Sequence, residues 1–193
     1  KRTYEFKKIK KIYKEKMIVK KTKFKGLLII KQKNNSDKRG NLRETFNRKF
    51  LKKKFVFEYC TTSKKNVLRG FHFQTKFKQS KYVNVLKGKI LDVVIDLRKN
   101  SKTFGKSFKI ILSKQNAIGL YIPSGFAHAY YSFDNENIIY YKLDNFYAPK
   151  FESGVLYNDK YFKIKWPKKN MIVSKKDLSL LTFFEFRKKI KSL

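Results

Sequence analysis

Side chains that could move a proton lie close together in one stretch of the sequence, Asn66 to Asp96. The segment NVLRGFHFQ contains Arg69 and His72, and the seven-residue connector that follows it ends in Lys81. A histidine titrates near neutral pH and can take or give a proton. An arginine can hold an anion, and a lysine can stabilise developing negative charge. The spacing therefore indicates a site for proton transfer on an anionic substrate.

The segment that contains His72 has the alternating pattern of a β-strand. Regular alternation places Arg69 on one face of the strand and both His72 and Gln74 on the other. Gly70 lies between Arg69 and His72, and a glycine inside a strand allows a bend or the close approach of another group. Arg69 and His72 are therefore expected to share a face only if the strand bends at Gly70.

The RGFHFQ segment resembles the R-G-[LF]-H-[FY]-Q strand of the dTDP-4-dehydrorhamnose 3,5-epimerase family. Five further segments resemble the family in the same order and near the same spacing, from Met17 to Asp177. They are DKRG at Asp37, DVVIDLRKNSKTFG at Asp92, IPSGFAHAY at Ile122, YYKLDNFYAP at Tyr140 and IKWP at Ile164. Several motifs in order are much more specific than one.

The resemblance implies an all-β fold, a double-sheet jelly roll of the cupin type with short flanking helices and a C-terminal helix. Many short strands broken by turns favour the same architecture. The family removes a proton beside the 4-keto group of a nucleotide-linked sugar and returns a proton to the opposite face. The resemblance thus implies a nucleotide-diphosphate 4-keto sugar as the substrate, with no metal and no organic cofactor.

The resemblance also assigns catalytic roles. His72 corresponds to the family's base, Lys81 to the lysine that stabilises the enolate, and Tyr141 to the acid on the opposite face. A slip of one residue would exchange Tyr141 with Tyr140. Asp177 corresponds to the aspartate paired with the base. The S-x-x-D spacing from Ser174 equally fits a helix capping box, so both roles of Asp177 remain open.

The remaining matches concern substrate binding. Arg69 corresponds to a pyrophosphate-binding arginine, and Tyr147 to a second tyrosine that lines the family's pocket. Gln74 is assigned to the same binding set, and His128 is expected either to line the site or to brace the sheet. In the family, the D-x-R-G segment crosses to a neighbouring subunit. A homodimer is therefore expected, with Arg39 and Glu44 reaching the partner's ligand.

Length predicts one domain. The resemblance begins at Met17, which implies a domain at residues 17–193 preceded by a basic extension at 1–16 that has the spacing of a short amphipathic helix. The net charge of +35 comes mostly from evenly spread lysines, which argues against a specific nucleic-acid site and for solubility and steering. A single cysteine, Cys60, excludes an intrachain disulfide. No apolar run is long enough to span a bilayer, and we expect a cytoplasmic protein.

Three local elements are predicted in addition to the strands. Apolar spacing favours a helix over Glu44–Lys54 and a C-terminal helix over Asp177–Ile190. Lys87-Gly88 is predicted to be a hairpin turn between the runs YVNVL and ILDVVID.

Several positions near the expected nucleotide site depart from the family. Phe57 and Tyr59 stand where Gln and Asn are expected, Asn41 replaces an aromatic residue, and Cys60 is also changed. A related substrate, such as a GDP-linked 4-keto-heptose for capsule synthesis, therefore stays open beside the dTDP sugar. A second hypothesis is an isomerase that only moves the ketone, but relatives of that kind usually lack the tyrosine acid, so Tyr141 argues against it. A third hypothesis is a non-catalytic, polyanion-binding jelly roll.

Overall fold

The computed structural model describes residues 17–191. Its strands form two stacked antiparallel sheets and one separate hairpin. The six-stranded sheet contains, in spatial order, β1 (Ile18–Lys21), β2 (Leu28–Lys31), β10 (Ile118–Ile122), β7 (Lys81–Lys87), β12 (Asn137–Leu143) and β5 (Phe57–Ser63). The five-stranded sheet contains β13 (Glu152–Gly154), β6 (Leu68–Gln74), β11 (Phe126–Ser132), β8 (Lys89–Asp96) and β9 (Ser107–Ser113). This arrangement confirms the predicted all-β jelly roll.

The separate hairpin pairs β3 (Lys33–Asp37) with β4 (Gly40–Glu44). Two short α-helices follow the sheets, α1 (Lys175–Leu178) and α2 (Phe183–Lys191), and 3-10 turns span Pro149–Phe151 and Lys160–Phe162. The amphipathic helix predicted within residues 1–16 lies outside the described residues.

Apolar side chains fill three layers. The central layer lies between the sheets and includes Val83, Val94 and Tyr141. A second layer covers the outer face of the five-stranded sheet, where Phe71 packs among residues of the C-terminal segment. A third, around Tyr82, covers the outer face of the six-stranded sheet. Strands β7 and β8 are therefore buried on both faces over most of their length, which explains their nearly continuous apolar runs.

The predicted hairpin at Lys87-Gly88 is wrong in one respect. The chain does turn there, but β7 and β8 belong to different sheets and do not pair with each other. Gly88 has φ +81°, and Asn137 Oδ1 accepts a hydrogen bond from the backbone N–H of Lys89 at 3.0 Å. The turn therefore carries the chain from one sheet to the other.

The helix predicted over Glu44–Lys54 is also wrong. Strand β4 ends at Glu44, and the following residues form irregular turns. The Asn47 side chain accepts a hydrogen bond from the backbone N–H of Lys49 at 2.9 Å, an Asx-type contact that competes with helix formation. Phe46 and Leu51 nevertheless bury their side chains around Tyr82, so the apolar spacing reflects packing and not helical period.

The predicted C-terminal helix is present in two pieces. Helix α1 ends at Leu178, and the chain then extends so that Leu181 forms a parallel bridge with Val155. Helix α2 restarts behind a capping box, in which the Thr182 backbone N–H donates to Glu185 at 2.7 Å and the Thr182 hydroxyl accepts from the Glu185 N–H at 3.3 Å.

Candidate active site

An extra residue in β6 brings the predicted arginine and histidine onto one face. His128 of β11 pairs with His72, whereas Tyr130 pairs with Arg69, so β6 has one residue more than β11 between the two pairs. Arg69 and His72 therefore both face the space between the sheets. The extra residue fits because Gly70 has φ +115°, and a Cβ there would lie 2.5 Å from the carbonyl oxygen of His128.

His72 is paired with Asp177. The His72 Nε2 lies 2.7 Å from Asp177 Oδ1, and the other carboxylate oxygen accepts from the Gly70 N–H at 3.1 Å. Although burial opposes it, the His72 contact lowers the pKa of Asp177. An anionic partner keeps the proton on Nε2 and leaves Nδ1 free to accept another. The side chain of His72 is 27% exposed, so substrate can reach it, whereas that of Asp177 is 4% exposed.

Asp177 makes both of the contacts that the sequence left open, one with His72 through its carboxylate and one with Ser174 through its backbone N–H. Ser174 is the N-cap of α1, and its hydroxyl accepts a hydrogen bond from the Asp177 N–H at 3.1 Å. The backbone of Asp177 thus belongs to the helix cap, while its carboxylate is directed to His72 and Gly70. The cap fixes the helix start from which the carboxylate reaches His72.

Lys81 and Tyr141 belong to the opposite sheet, where the side chain of Lys81 is half-buried and that of Tyr141 is buried. Burial lowers the pKa of Lys81 to about 8, and it holds the pKa of Tyr141 well above its usual range. The Tyr141 ring stacks on Tyr59, with ring centroids 4.7 Å apart. The neighbouring Tyr140 faces outward, where its hydroxyl donates to Glu58. Tyr141, and not Tyr140, is therefore directed to the interior between the sheets.

A second imidazole–carboxylate pair lies behind the first. His128 Nε2 is 2.8 Å from Asp92 Oδ2, and both side chains are buried. The His128 ring meets the Tyr141 ring edge-on at 6.1 Å between centroids. His128 thus packs within the site against the predicted acid, and Asp92 fixes the orientation of its ring.

A cavity of about 340 Å³ opens beside these groups. Four residues predicted from the sequence, His72, Gln74, Lys81 and Tyr147, line it. The other lining residues are Phe57, Tyr59, Phe73, Gln79 and Glu152. Tyr141 and Asp177 lie behind this wall, in contact with Tyr59 and His72 respectively, and His128 packs against Tyr141.

Gln74 and Arg69 make contacts within the chain. The amide nitrogen of Gln74 donates to the carbonyl of Phe77 at 2.7 Å, and its oxygen accepts from the Ala148 N–H at 2.8 Å. Gln74 therefore holds the loop that carries Tyr147. Arg69 does not line the cavity. Its Nε donates to the Ser63 hydroxyl at 3.1 Å, and the residue is exposed on the same face of β6 as His72.

Arg39 and Glu44 are not part of this cavity. The Arg39 side chain is 85% exposed at the tip of the β3–β4 hairpin and pairs with Asp37 at 2.7 Å. Glu44 accepts a hydrogen bond from Asn47 at the base of the hairpin. The site formed by one chain is thus assembled without either residue.

Two acidic residues near the site were not predicted from the sequence. Asp92 interrupts the apolar run from Ile90 to Ile95, which is buried on both faces of β8, and such an interruption is a usable signal for a paired buried carboxylate. Glu152 gives a weaker signal, because nothing in its neighbourhood distinguishes it from a surface acid. The structure places it on the cavity wall through the pairing of β13 with β6.

The jelly-roll fold and the imidazole–carboxylate pair on its cavity, taken with the similar proteins, place the chain in the class of cupin-type carbohydrate isomerases. The model of the dTDP-4-dehydrorhamnose 3,5-epimerase family matches residues 21–185. The chain belongs to this family, and the resemblance inferred from its motifs is confirmed.

Individual relatives agree with this assignment. The dTDP-4-dehydrorhamnose 3,5-epimerase of Shigella flexneri is 39% identical over 170 residues, which cover 84% of this chain and 94% of the relative. The Bacillus anthracis epimerase structure, with TDP and PPi bound, is 36% identical and covers 87% of this chain and 100% of its own, with a TM-score of 0.84. A Legionella pneumophila structure in complex with dTDP-4-keto-L-rhamnose is 34% identical, with a TM-score of 0.83, and covers 86% and 93%.

Within residues 17–191, no group of three or more His, Cys, Asp or Glu side chains is placed to hold a metal ion. No helix of the described chain has the length and apolar character that crossing a membrane requires.

Proposed function

We propose that this protein inverts C3, C5 or both in a dTDP-linked 4-keto-6-deoxy sugar, for the synthesis of a surface polysaccharide. The observation that carries the proposal is the His72–Asp177 pair on the wall of the cavity, opposite the sheet that supplies Lys81 and Tyr141. A base and an acid supplied from two different sheets match a reaction that removes a proton on one face of a ring and returns one on the other.

In this mechanism His72 takes the proton beside the ketone through its free Nδ1. Asp177 holds the imidazole in the required tautomer and stabilises the imidazolium that forms. Lys81 donates to the oxygen of the resulting enolate. With a pKa of about 8, Lys81 is mostly protonated at neutral pH and sits in an environment of low polarity, where a positive charge stabilises an anion strongly.

Tyr141 then protonates the carbon from the opposite face. Its raised pKa keeps the phenol protonated at neutral pH, so that the proton is available when the enolate forms. The pyrophosphate is assigned to the exposed guanidinium of Arg69, which lies on the same face of β6 as His72. Tyr147 completes the binding surface, and His128 supports it from behind by packing against Tyr141.

A GDP-linked 4-keto-heptose is the second candidate substrate. Phe57 and Tyr59, which line the cavity, give this wall an aromatic surface where the family motif has amides. The same acid and base would serve either substrate, since they act at the ketone and not at the nucleotide.

Proton NMR in deuterium oxide with a panel of nucleotide-linked 4-keto sugars tests both candidates. Deuterium uptake identifies the reacting carbon, and the accepted nucleotide identifies the substrate. Uptake only from dTDP sugars would exclude the heptose. Absence of uptake from every 4-keto sugar in the panel would refute the epimerase function.

We further propose that the active species is a homodimer. The β3–β4 hairpin exposes Arg39 and Leu42, and its two strands pair with each other and with no other strand of the described chain. In the dimer, Arg39 and Glu44 of one subunit contact the nucleotide bound by the other. Light scattering at micromolar concentration and activity measured together test this assembly.

A further inference from the structure

The loop that carries Tyr147 is fixed from both sides. Gln74 donates to the carbonyl of Phe146 at 3.4 Å and accepts from the N–H of Ala148 at 2.8 Å, so the backbone on either side of Tyr147 is held. The Tyr147 hydroxyl donates to Glu152 Oε2 at 2.5 Å. Half of the Tyr147 side chain remains exposed, on the wall of the cavity. Its ring position and its hydroxyl are therefore both determined before a ligand arrives.

Glu152 remains ionised in this position. Its side chain is 15% exposed, and the same carboxylate oxygen that binds Tyr147 also binds the ammonium group of Lys176. Although burial opposes it, the hydrogen bonds from Lys176 and Tyr147 lower the pKa of Glu152. A phenol has a single proton. Because that proton is engaged by an anion, the Tyr147 oxygen can only accept a hydrogen bond from a ligand in the cavity.

We propose that Glu152 is a positioning residue that fixes Tyr147 as a hydrogen-bond acceptor for a hydroxyl group of the sugar. The inference rests on the proposed function, because it concerns how the same cavity recognises the substrate. It separates the two tyrosines of the site by role: Tyr141 supplies a proton, whereas Tyr147 accepts one in a hydrogen bond and never releases its own.

The chain contains a matched control for this arrangement. On the outer face of the six-stranded sheet, Glu58 accepts hydrogen bonds from the Tyr140 hydroxyl and from the Lys142 ammonium group. This trio has the same chemistry as the trio of Tyr147, Glu152 and Lys176, but it faces away from the cavity. Glu58→Met therefore imitates the loss of a carboxylate between a phenol and a lysine without touching the site.

The kinetic test compares Glu152→Met, Glu152→Gln and Glu58→Met. Methionine has the length of glutamate but no acceptor, so the KM for the sugar should rise about three- to tenfold, as expected for one lost hydrogen bond, with kcat changed less. Glutamine keeps an acceptor oxygen and should restore most of the affinity, and Glu58→Met should match the wild type. A Glu152→Met variant with wild-type KM would overturn the inference.

A double variant distinguishes positioning from a general structural defect. If Glu152 acts through Tyr147, then Glu152→Met should add nothing to the effect of Tyr147→Phe, because the hydroxyl to be positioned is already absent. Independent, additive losses in the double variant would show that Glu152 acts by another route.

Titration of Tyr147 tests the contact without any turnover. The hydrogen bond to Glu152 raises the pKa of Tyr147, burial adds to this, and Lys176 opposes it; Tyr59 also faces the phenol. In protein carrying ¹³C-labelled tyrosine, with the signal assigned through Tyr147→Phe, Glu152→Met should move the Tyr147 titration to lower pH. An unmoved titration would refute the contact. A wild type that exchanges no sugar proton would instead refute the proposed epimerase, so the two failures are distinguishable.

Discussion

Replacing Tyr141 by phenylalanine should separate the two halves of the proposed reaction. The substitution removes one hydroxyl and preserves the ring that stacks on Tyr59 at 4.7 Å between centroids. His72 and Asp177 are untouched, so the enolate can still form. The proton taken by His72 can then return only to the face it left, and the substrate should exchange hydrogen for deuterium without inversion.

The expected magnitudes follow from the position of the phenol. Loss of one general acid costs about 10²–10⁴ in rate, so inversion should fall by that factor while exchange at the reacting carbon persists. Tyr141 is only 3% exposed, yet the variant keeps its apolar packing. Loss of a buried hydroxyl should therefore lower the free energy of unfolding by no more than about 1–2 kcal/mol.

The assay is proton NMR in deuterium oxide, with exchange and inverted product followed in the same sample. Tyr140→Phe is the matched control, because Tyr140 lies on the same strand but donates to Glu58 on the outer face. That variant should invert the sugar like the wild type. Undiminished inversion in Tyr141→Phe, or its loss in Tyr140→Phe, would refute the assignment of the acid.

Further predictions concern the base, its partner, the lysine and the hairpin. His72→Ala should abolish exchange at every reacting carbon while circular dichroism reports an intact fold; near wild-type exchange would remove His72 from the mechanism. Asp177→Asn should slow exchange by at least tenfold. Because the pKa of Asp177 is lowered in the folded state, its ionised form stabilises the protein above about pH 4, and the difference in Tm between wild type and variant should shrink as the pH falls below that value. Exchange should decline as the pH rises through about 8, where Lys81 loses its proton; a Lys81→Gln variant that declines at the same pH would assign this limb to another group. Arg39→Ala should weaken nucleotide binding, measured by calorimetry, without dissociating the dimer; a fully active monomer in light scattering would contradict the proposed assembly.

The strands and the central histidine were predictable because their signals are local. Alternation around His72 and the apolar runs of β7 and β8 follow directly from burial on one or both faces. The hairpin at Lys87-Gly88 was not correctly predicted, since a two-residue turn looks the same whether the flanking strands pair or separate into two sheets. The prediction of a helix over Glu44–Lys54 was wrong for a related reason. The apolar spacing reflects packing against Tyr82, and irregular backbone can place the same side chains there.

The geometry of the site depends on contacts between distant segments, which sequence spacing does not encode. The bulge that turns Arg69 toward the face of His72 requires the pairing of β6 with β11. The role of Gln74 as a brace for the loop of Tyr147 depends on an interaction across 74 residues. Glu152 reaches the cavity because β13 is the edge strand of the five-stranded sheet, a position that the sequence around Glu152 does not indicate.

The extra residue in β6 interrupts the pairing with β11 and supplies a hydrogen bond to Asp177. If Gly70 were deleted, Arg69, Phe71 and His72 would follow the ordinary alternation of a strand, with Arg69 and His72 still on their present face. The ladder with β11 would then be continuous. What would disappear is an N–H that stands outside the ladder and binds Asp177. The strand thus gives up regular pairing, and with it some stability, for a backbone donor that keeps the carboxylate aligned with the imidazole. Shortening this strand by one residue should yield a protein that folds as well or better and catalyses worse.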